Sequence, residues 1–112
     1  MKINIILTIL LFGFFTSLEA QELLHDNKKY ICTFYMKNMG GTKQERMTSP
    51  TKSETIRKGN QLFIENEEAM NKINENKYAS INNVAQFKKK KNKILIVLKY
   101  NDYNDYYLGS CE

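Results

Sequence analysis

The stretch VAQFKKKKNKILIVLKY, residues 84–100, carries the strongest structural signal in the sequence. Two β-prone runs flank the polar triplet Lys90-Lys91-Asn92, and this pattern predicts a β-hairpin. The second run, KILIVLKY at 93–100, is apolar on both of its alternating faces, which is typical of a central strand. We therefore expect an all-β fold that grows outward from this hairpin and keeps Ile96 in its core.

Further strands are predicted on the N-terminal side of this hairpin. The run KKYICTFYMK at 28–37 alternates regularly and places four residues on one face: Tyr30, Cys32, Phe34 and Met36. The polar stretch 42–58 predicts a long loop or a poorly buried edge strand that ends in a short strand near 54–58. Gly59-Asn60 is a turn signal, and it predicts a hairpin from that short strand into residues 62–64.

Residues 66–81 allow two interpretations. Asn66 as an N-cap, followed by Glu67 and Glu68 in a first turn, predicts a short helix. Alternatively, residues 69–73 pair with 77–81 around the polar turn at 74–76. We expect the hairpin because the polar cluster falls midway between two β-prone halves. A turn at 101–105 then leads into a final strand at 106–111.

Cys32 and Cys111 are the two cysteines of the chain. An even count in a small secreted protein indicates a disulfide, whereas a redox pair is usually a C-x-x-C motif and a zinc site needs four ligands. A bond between the first and last strands brings the ends of a meander together and removes exposed sheet edges. We predict a small antiparallel meander of about six to eight strands, closed by this disulfide into a barrel or flattened sandwich.

The first 20 residues predict a secretory signal peptide. Lys2 precedes an apolar run from Ile3 to Phe15, and Ala20 offers a cleavage site. Cleavage would leave a single domain, residues 21–112, and a net charge still at +5, because Lys2 and Glu19 leave together. Retention of the run as an anchor is the alternative. The composition, rich in Asn and Lys, favours a bacterial protein of the periplasm or the extracellular space.

Five lysines are concentrated at the tip of the predicted 84–100 hairpin: Lys88, Lys89, Lys90, Lys91 and Lys93. Their ammonium groups would form one positive lobe that attracts polyanions. For a secreted protein these are anionic lipid headgroups, lipopolysaccharide, acidic wall polymers and acidic protein faces; nucleic acid is a poor candidate. The alternative is a solvated turn whose charges keep a hydrophobic hairpin from aggregating.

Four tyrosines fall within the eight residues 100–107, which begin at the last residue of that hairpin: Tyr100, Tyr103, Tyr106 and Tyr107. Aromatic faces flanked by hydrogen-bonding groups can anchor a protein interface or stack on sugar rings. The alternating Asn and Asp residues also resemble a calcium loop, but the central glycine and terminal glutamate of an EF-hand are missing. The remaining interpretation is structural, with the tyrosines covering a barrel rim.

Catalytic patterns are weak in this sequence. A group of acidic residues at 65–75 has no spacing that demands paired-carboxylate chemistry, and we expect it at the surface. His25, the sole histidine, is expected in a flexible N-terminal segment. No phosphate-binding glycine loop, metal-ligand cluster or nucleophile motif is present. The sequence therefore predicts no enzyme and no cofactor.

The Tyr30-Ile31-Cys32 motif in an early strand, short β-strands and a closing Cys111 resemble the periplasmic inhibitors of c-type lysozyme, which are small disulfide-bonded β-barrels. The resemblance covers architecture and the two cysteines. The Ser-Gly-x-x-Tyr inhibitory segment of that family has no clear counterpart, so no site residue is carried over. The expected function is a non-enzymatic binding module, with inhibition of a hydrolase as the alternative.

Overall fold

The 84–100 hairpin forms as predicted. A computed structural model describes residues 21–39, 43–100 and 105–112. The leader, Gly40, Gly41 and all but the last residue of the predicted turn at 101–105, Tyr103 included, lie outside the described residues. In the hairpin, β6 (Asn83–Lys90) pairs with β7 (Lys93–Tyr100) along the full length of both strands. The turn between them narrows to Lys91 and Asn92.

Eight antiparallel strands make up the described part of the chain, and each one pairs with the next. They are β1 (Lys29–Asn38), β2 (Glu45–Lys58), β3 (Gln61–Ile64), β4 (Met70–Asn74), β5 (Lys77–Ala79), β6, β7 and β8 (Asp105–Cys111). The last strand, β8, also pairs with β1, so the meander closes on itself. The predicted all-β architecture is confirmed, and of the two forms that we considered the chain adopts the barrel.

The predicted disulfide is also confirmed. Cys32 in β1 and Cys111 in β8 are directly paired across the seam, with 3.9 Å between their Cα atoms. Two residues away, Gly109 is buried against the backbone of β1, where an added Cβ would collide with the carbonyl of Thr33. Glycine is therefore required where the two strands approach this closely.

Of the two interpretations of 42–58, the loop is wrong, because β2 runs for 14 residues. The poorly buried strand is closer, although β2 pairs with both β1 and β3 and is therefore not an edge. In a closed barrel β1 needs a partner on both edges, and the pairing with β2 satisfies its backbone groups although β2 has few apolar residues. Between Phe34 and Met36 of β1 the register jumps from Thr51 to Arg46. Residues 47–50 of β2 therefore bulge out, and Pro50, which has no N–H to donate, lies within the bulge.

The ambiguity at 66–81 is resolved in favour of the hairpin, in which β4 pairs with β5. A register shift at Ile73 leaves this side chain 59% exposed. The first turn of a helix is absent there, and Glu67 instead belongs to the loop between β3 and β4.

The barrel interior is filled by the inward row of each strand. Ile96 is 1% exposed, as predicted. β7 has a neighbour on each edge, as a central strand does, but Val97 on its second apolar face is 38% exposed. The expectation that Met36 shares one face of β1 with Phe34 is wrong, because the bulge at Tyr35 separates the two residues, and Met36 is half-buried.

Alternating strand directions sort the connections between two ends of the barrel. The turns at 59–60, 75–76 and 91–92 share one end with residues 21–28, and we call it the closed end. The connections at 65–69 and 80–82 share the other end with the last residues of β7 and the first of β8, and we call it the mouth.

Residues 21–28 cap the closed end. Leu24 is 2% exposed and joins the core. Glu22 forms ion pairs with both Arg57 and Lys72, and the carboxylate of Asp26 accepts a hydrogen bond of 2.7 Å from the Gly59 N–H. The expectation of a flexible segment around His25 is therefore wrong, because buried apolar surface and ion pairs on both sides anchor it.

Candidate functional site

The lysine tip, defined as Lys88, Lys89, Lys90, Lys91 and Lys93, extends the β6–β7 hairpin at the closed end. All five side chains are exposed. Along β6 the pairing with β5 begins only at Gln86, so the tip lies past the edge of its neighbour. None of the five lysines forms an ion pair with an acidic residue of the described chain. The tip is therefore an uncompensated positive surface.

Three tip lysines surround a pocket of about 480 Å³, which we call the tip pocket. Its lining consists of Tyr35, Lys90, Lys91, Asn92, Lys93 and Leu95. Tyr35 belongs to it because of the bulge in β1: pairing with both β2 and β8 skips this residue. Bulges commonly redirect a side chain in this way. The pocket thus combines positive charge with an aromatic and an aliphatic side chain.

The arrangement of the lysine tip opposes local stability. Lys90 lies directly opposite Lys93, and like charges in such a cross-strand pair repel one another. Lys91 adopts a φ of 55°, in the left-handed region that glycine or asparagine occupies at lower cost.

An apolar strip continues from the tip pocket along the outside of the barrel. It comprises Leu95, Val97, Tyr106 and Leu108, with Lys99 beside it. These side chains are half-buried or exposed on the outer surface of β7 and β8. The second apolar face of KILIVLKY is thus a surface feature that adjoins the lysine tip.

The mouth contains the second concentration of functional groups. Tyr107 packs edge to face against Tyr100, with 5.9 Å between ring centroids, and against Phe34 at 6.1 Å. These rings line a pocket of about 200 Å³, which we call the mouth pocket, together with Met47, Ile64 and Leu98. Its polar lining includes Glu65 and Glu67.

Glu67 is fixed at the mouth by two hydrogen bonds. The Tyr100 hydroxyl donates to Oε1 at 2.7 Å and the Asn83 side-chain amide donates to Oε2 at 2.6 Å. Burial raises the pKa of Tyr100 well above its usual value, and the hydrogen bond and charge of Glu67 raise it further. The phenol therefore remains a hydrogen-bond donor at neutral pH, and the carboxylate of Glu67 keeps a defined position.

The predicted site residues are divided by the barrel wall. Tyr100 and Tyr107 meet at the mouth, whereas Tyr106 lies on the outer apolar strip, and Tyr103 is outside the described residues. The sequence did not predict that Tyr35 and Leu95 line the tip pocket or that Glu67 lines the mouth pocket. A partial signal existed for Glu67, since alternating hairpins place the loop at 65–69 and the end of β7 at the same end of the barrel. The expectation that this acidic group lies wholly at the surface is wrong for Glu67, which is half-buried.

Other site chemistries find no support in the part of the chain that the structure describes. Within it, no group of three or more His, Cys, Asp or Glu residues is arranged to hold a metal ion. Across the same residues, no helix has the length and apolar character to cross a membrane. Both cysteines form the disulfide, so neither is a free thiol.

The chain was compared with protein-family models, curated proteins and solved structures, and no match was found in any of them.

Proposed function

We propose that this protein is a non-enzymatic secreted binding module that docks on an anionic lipid surface through the lysine tip. The observation that carries the proposal is the tip pocket, whose lining combines Lys90, Lys91 and Lys93 with Tyr35 and Leu95. Phosphate headgroups would pair with the ammonium groups, and Leu95 would contact the upper acyl chain.

Electrostatics favours this partner over a neutral one. Each lysine near an anionic membrane contributes about 1 kcal/mol of attraction. None of the lining residues of the tip pocket is acidic, so little of that attraction is cancelled locally. The overall charge of +5 acts in the same direction at long range.

The outer apolar strip supplies the second part of the contact. Val97 is 38% exposed, and Tyr106 carries a hydroxyl suited to the polar boundary of a bilayer. Burial of such side chains at an interface adds about 25 cal/mol per Å² of apolar surface. Charge would bring the protein to the membrane, and the strip would hold it there.

The disulfide and the predicted leader support the compartment in this proposal. The Cys32–Cys111 bond is consistent with an oxidising compartment. We place the protein in the periplasm or outside a bacterial cell, where anionic phospholipids and lipopolysaccharide are accessible.

The test is co-sedimentation with vesicles. Wild-type protein should bind vesicles of phosphatidylcholine with phosphatidylglycerol, and should bind pure phosphatidylcholine weakly. Salt should release it as the Debye length falls from about 10 Å at 0.1 M to about 3 Å at 1 M. Replacing Lys90, Lys91 and Lys93 with Gln should weaken binding about a hundredfold.

The matched control removes the same charge elsewhere: Lys43→Gln, Arg46→Gln and Lys58→Gln together. These three residues are exposed and none of them lines the tip pocket. The control should retain most of the binding. An equal loss of vesicle binding in both triple variants would show that net charge, and not the position of the lysines, determines binding. Equal binding by all three proteins would leave the lysines the role of keeping the hairpin soluble.

Inhibition of a hydrolase is the second candidate, and the mouth favours it. A protein of charge +5 repels a cationic enzyme unless a local acidic surface offsets that charge. Glu65, Glu67 and Glu68 lie together at the mouth, in the loop between β3 and β4. A stoichiometric complex with one hydrolase, isolated from envelope extract or host secretions, would support this candidate.

A further inference from the structure

The mouth pocket has dimensions suited to one small group. Its volume is about 200 Å³, below the roughly 300 to 1,000 Å³ of pockets that hold drug-sized ligands. Its inner wall is formed by strand residues of the barrel, among them Phe34 and Leu98, which are 4% and 3% exposed. The bulge of β2 contributes Met47 to the rim. A single side chain or a small cation fits this space.

The chemistry of the lining selects for positive charge. The rings of Phe34, Tyr100 and Tyr107 offer π-surfaces, to which cations are attracted. Glu65 and Glu67 contribute carboxylates, and no basic side chain of the described residues lines the pocket. An anionic or neutral apolar ligand would leave the half-buried carboxylate of Glu67 without a charged partner.

Glu67 is preorganised for such a ligand. Its two oxygens each accept one hydrogen bond, from Tyr100 and Asn83, while an ionised carboxylate has about four acceptor sites. Acceptor capacity therefore remains for an incoming N–H group. The partners that hold the carboxylate are neutral, so its charge is not cancelled by them.

We propose that the mouth pocket binds a guanidinium or alkylammonium group, such as the side chain of an arginine or lysine presented by a partner protein. The cation pairs with Glu67 and Glu65, and its stem packs against Tyr100 and Tyr107. The site lies at the opposite end of the barrel from the lysine tip. It is independent of the proposed lipid contact, and either can fail without the other.

The test uses defined probes and calorimetry. The first is an acetylated Gly-Arg-Gly amide peptide, and the second is the same peptide with citrulline, which keeps the shape of arginine but loses its charge. Spermidine, a free polyamine, is the third. The arginine peptide should bind at least about tenfold more tightly than the citrulline peptide. Tighter binding of the peptide than of spermidine indicates a protein side chain as the natural source, and the reverse order indicates a free polyamine.

Neighbouring glutamates provide matched variants. Glu67→Gln keeps an acceptor for the Tyr100 hydroxyl but removes the charge, and should weaken binding of the arginine peptide about tenfold or more. Glu68→Gln makes the same charge change one residue away, outside the pocket lining, and should bind as the wild type does. Glu65→Gln, at an exposed position of the lining, provides a second test of the charge in the pocket if Glu67→Gln disturbs folding.

Two results would overturn the proposal. One is equal binding of the arginine and citrulline peptides, with spermidine no better than either. The other is an equal effect of Glu67→Gln and Glu68→Gln in variants that melt like the wild type, since the charge in the pocket would then be irrelevant.

Discussion

The N-terminal cap, residues 21–28 at the closed end, and the mouth of the barrel use charge in opposite ways. At the closed end, residues 21–28 fill the opening, and Glu22 is paired with Arg57 and Lys72. At the mouth, a pocket remains beside Glu67, whose hydrogen-bond partners are neutral. Charge at the cap is therefore paired within the protein, whereas no ion pair among the described residues offsets the charge of Glu67 or of the lysine tip.

This contrast also explains why net charge describes the molecule poorly. The value of +5 averages a positive lobe at 88–93 with acidic side chains at 65–68. These two groups lie at opposite ends because β6 and β7 carry the chain the full length of the barrel. A partner close to one end interacts mainly with the charges of that end, because salt screens exposed charges over about 10 Å.

The largest expected effect tests the inside and the outside of β7. Ile96→Asp should abolish folding, because it buries an unpaired charge among apolar neighbours. Val97→Asp, on the next residue, should fold because its side chain faces solvent. Thermal melting followed by circular dichroism separates the two. A cooperative melt for Ile96→Asp would mean that the barrel interior is misassigned.

Loss of the disulfide should have the next largest effect. The bond spans 79 residues, and the chain-entropy model gives about 4 to 5 kcal/mol of stabilisation for a loop of that length. This is a large part of the roughly 5 to 15 kcal/mol that holds a small domain together. The double variant Cys32→Ala and Cys111→Ala avoids a free thiol and should melt far below the wild type. An unchanged melting temperature would contradict a structural role for the seam.

The cap should contribute a moderate amount. Glu22→Gln should lower the free energy of unfolding by about 1 to 2 kcal/mol, since its partners are mostly buried but Glu22 itself is partly exposed. Glu54→Gln is the control, because its pair with Lys29 spans 3.7 Å between largely exposed groups and should contribute little. Faster amide exchange at Asn27, whose N–H donates to Arg57, should accompany the first change. Equal effects in urea unfolding would show that the cap is not held by its ion pairs.

Tyr100 should make a small, pH-dependent contribution at the mouth. Below its usual pKa of 10.0, the phenol is protonated in the folded and unfolded states alike. Above that pH the unfolded state ionises while the folded state holds the proton, so stability falls as pH rises. Tyr100→Phe should flatten this alkaline loss in part, because burial also raises the pKa of Tyr78. Tyr106→Phe on the outer strip is the control, and urea unfolding at several pH values is the measurement. The same slope of unfolding free energy against pH in both variants would contradict this role of Tyr100.

Local pattern was sufficient for most of the fold. The period-two alternation and the polar turn triplets predicted the hairpins, and the two cysteines predicted the seam. At β2 the weak hydrophobic pattern left a loop and a poorly buried edge strand both open, and a strand forms there because it pairs with an edge of β1. The sequence failed at Tyr35, since a bulge is defined by the register of the neighbouring strands.

The candidate sites likewise differ in how far the sequence predicts them. The lysine tip is contiguous in sequence and could be predicted. The contact between Glu67 and Tyr100 joins residues 33 positions apart, and only the order of the strands brings them together. The alternation of side chains along a strand predicts that Tyr106 and Tyr107 point to opposite faces. Which of the two points inward depends on the register of β8 with β7.

The central claim is that the lysine tip, and not the mouth, meets the lipid surface. The chain contains no tryptophan, so a single introduced one reports on its own location. Asn92→Trp in the turn of the lysine tip should show a blue-shifted emission with anionic vesicles and should be quenched by brominated lipid. Glu68→Trp at the mouth should show neither change. Quenching at the mouth alone, or at neither position under conditions where the protein co-sediments with vesicles, would contradict the account.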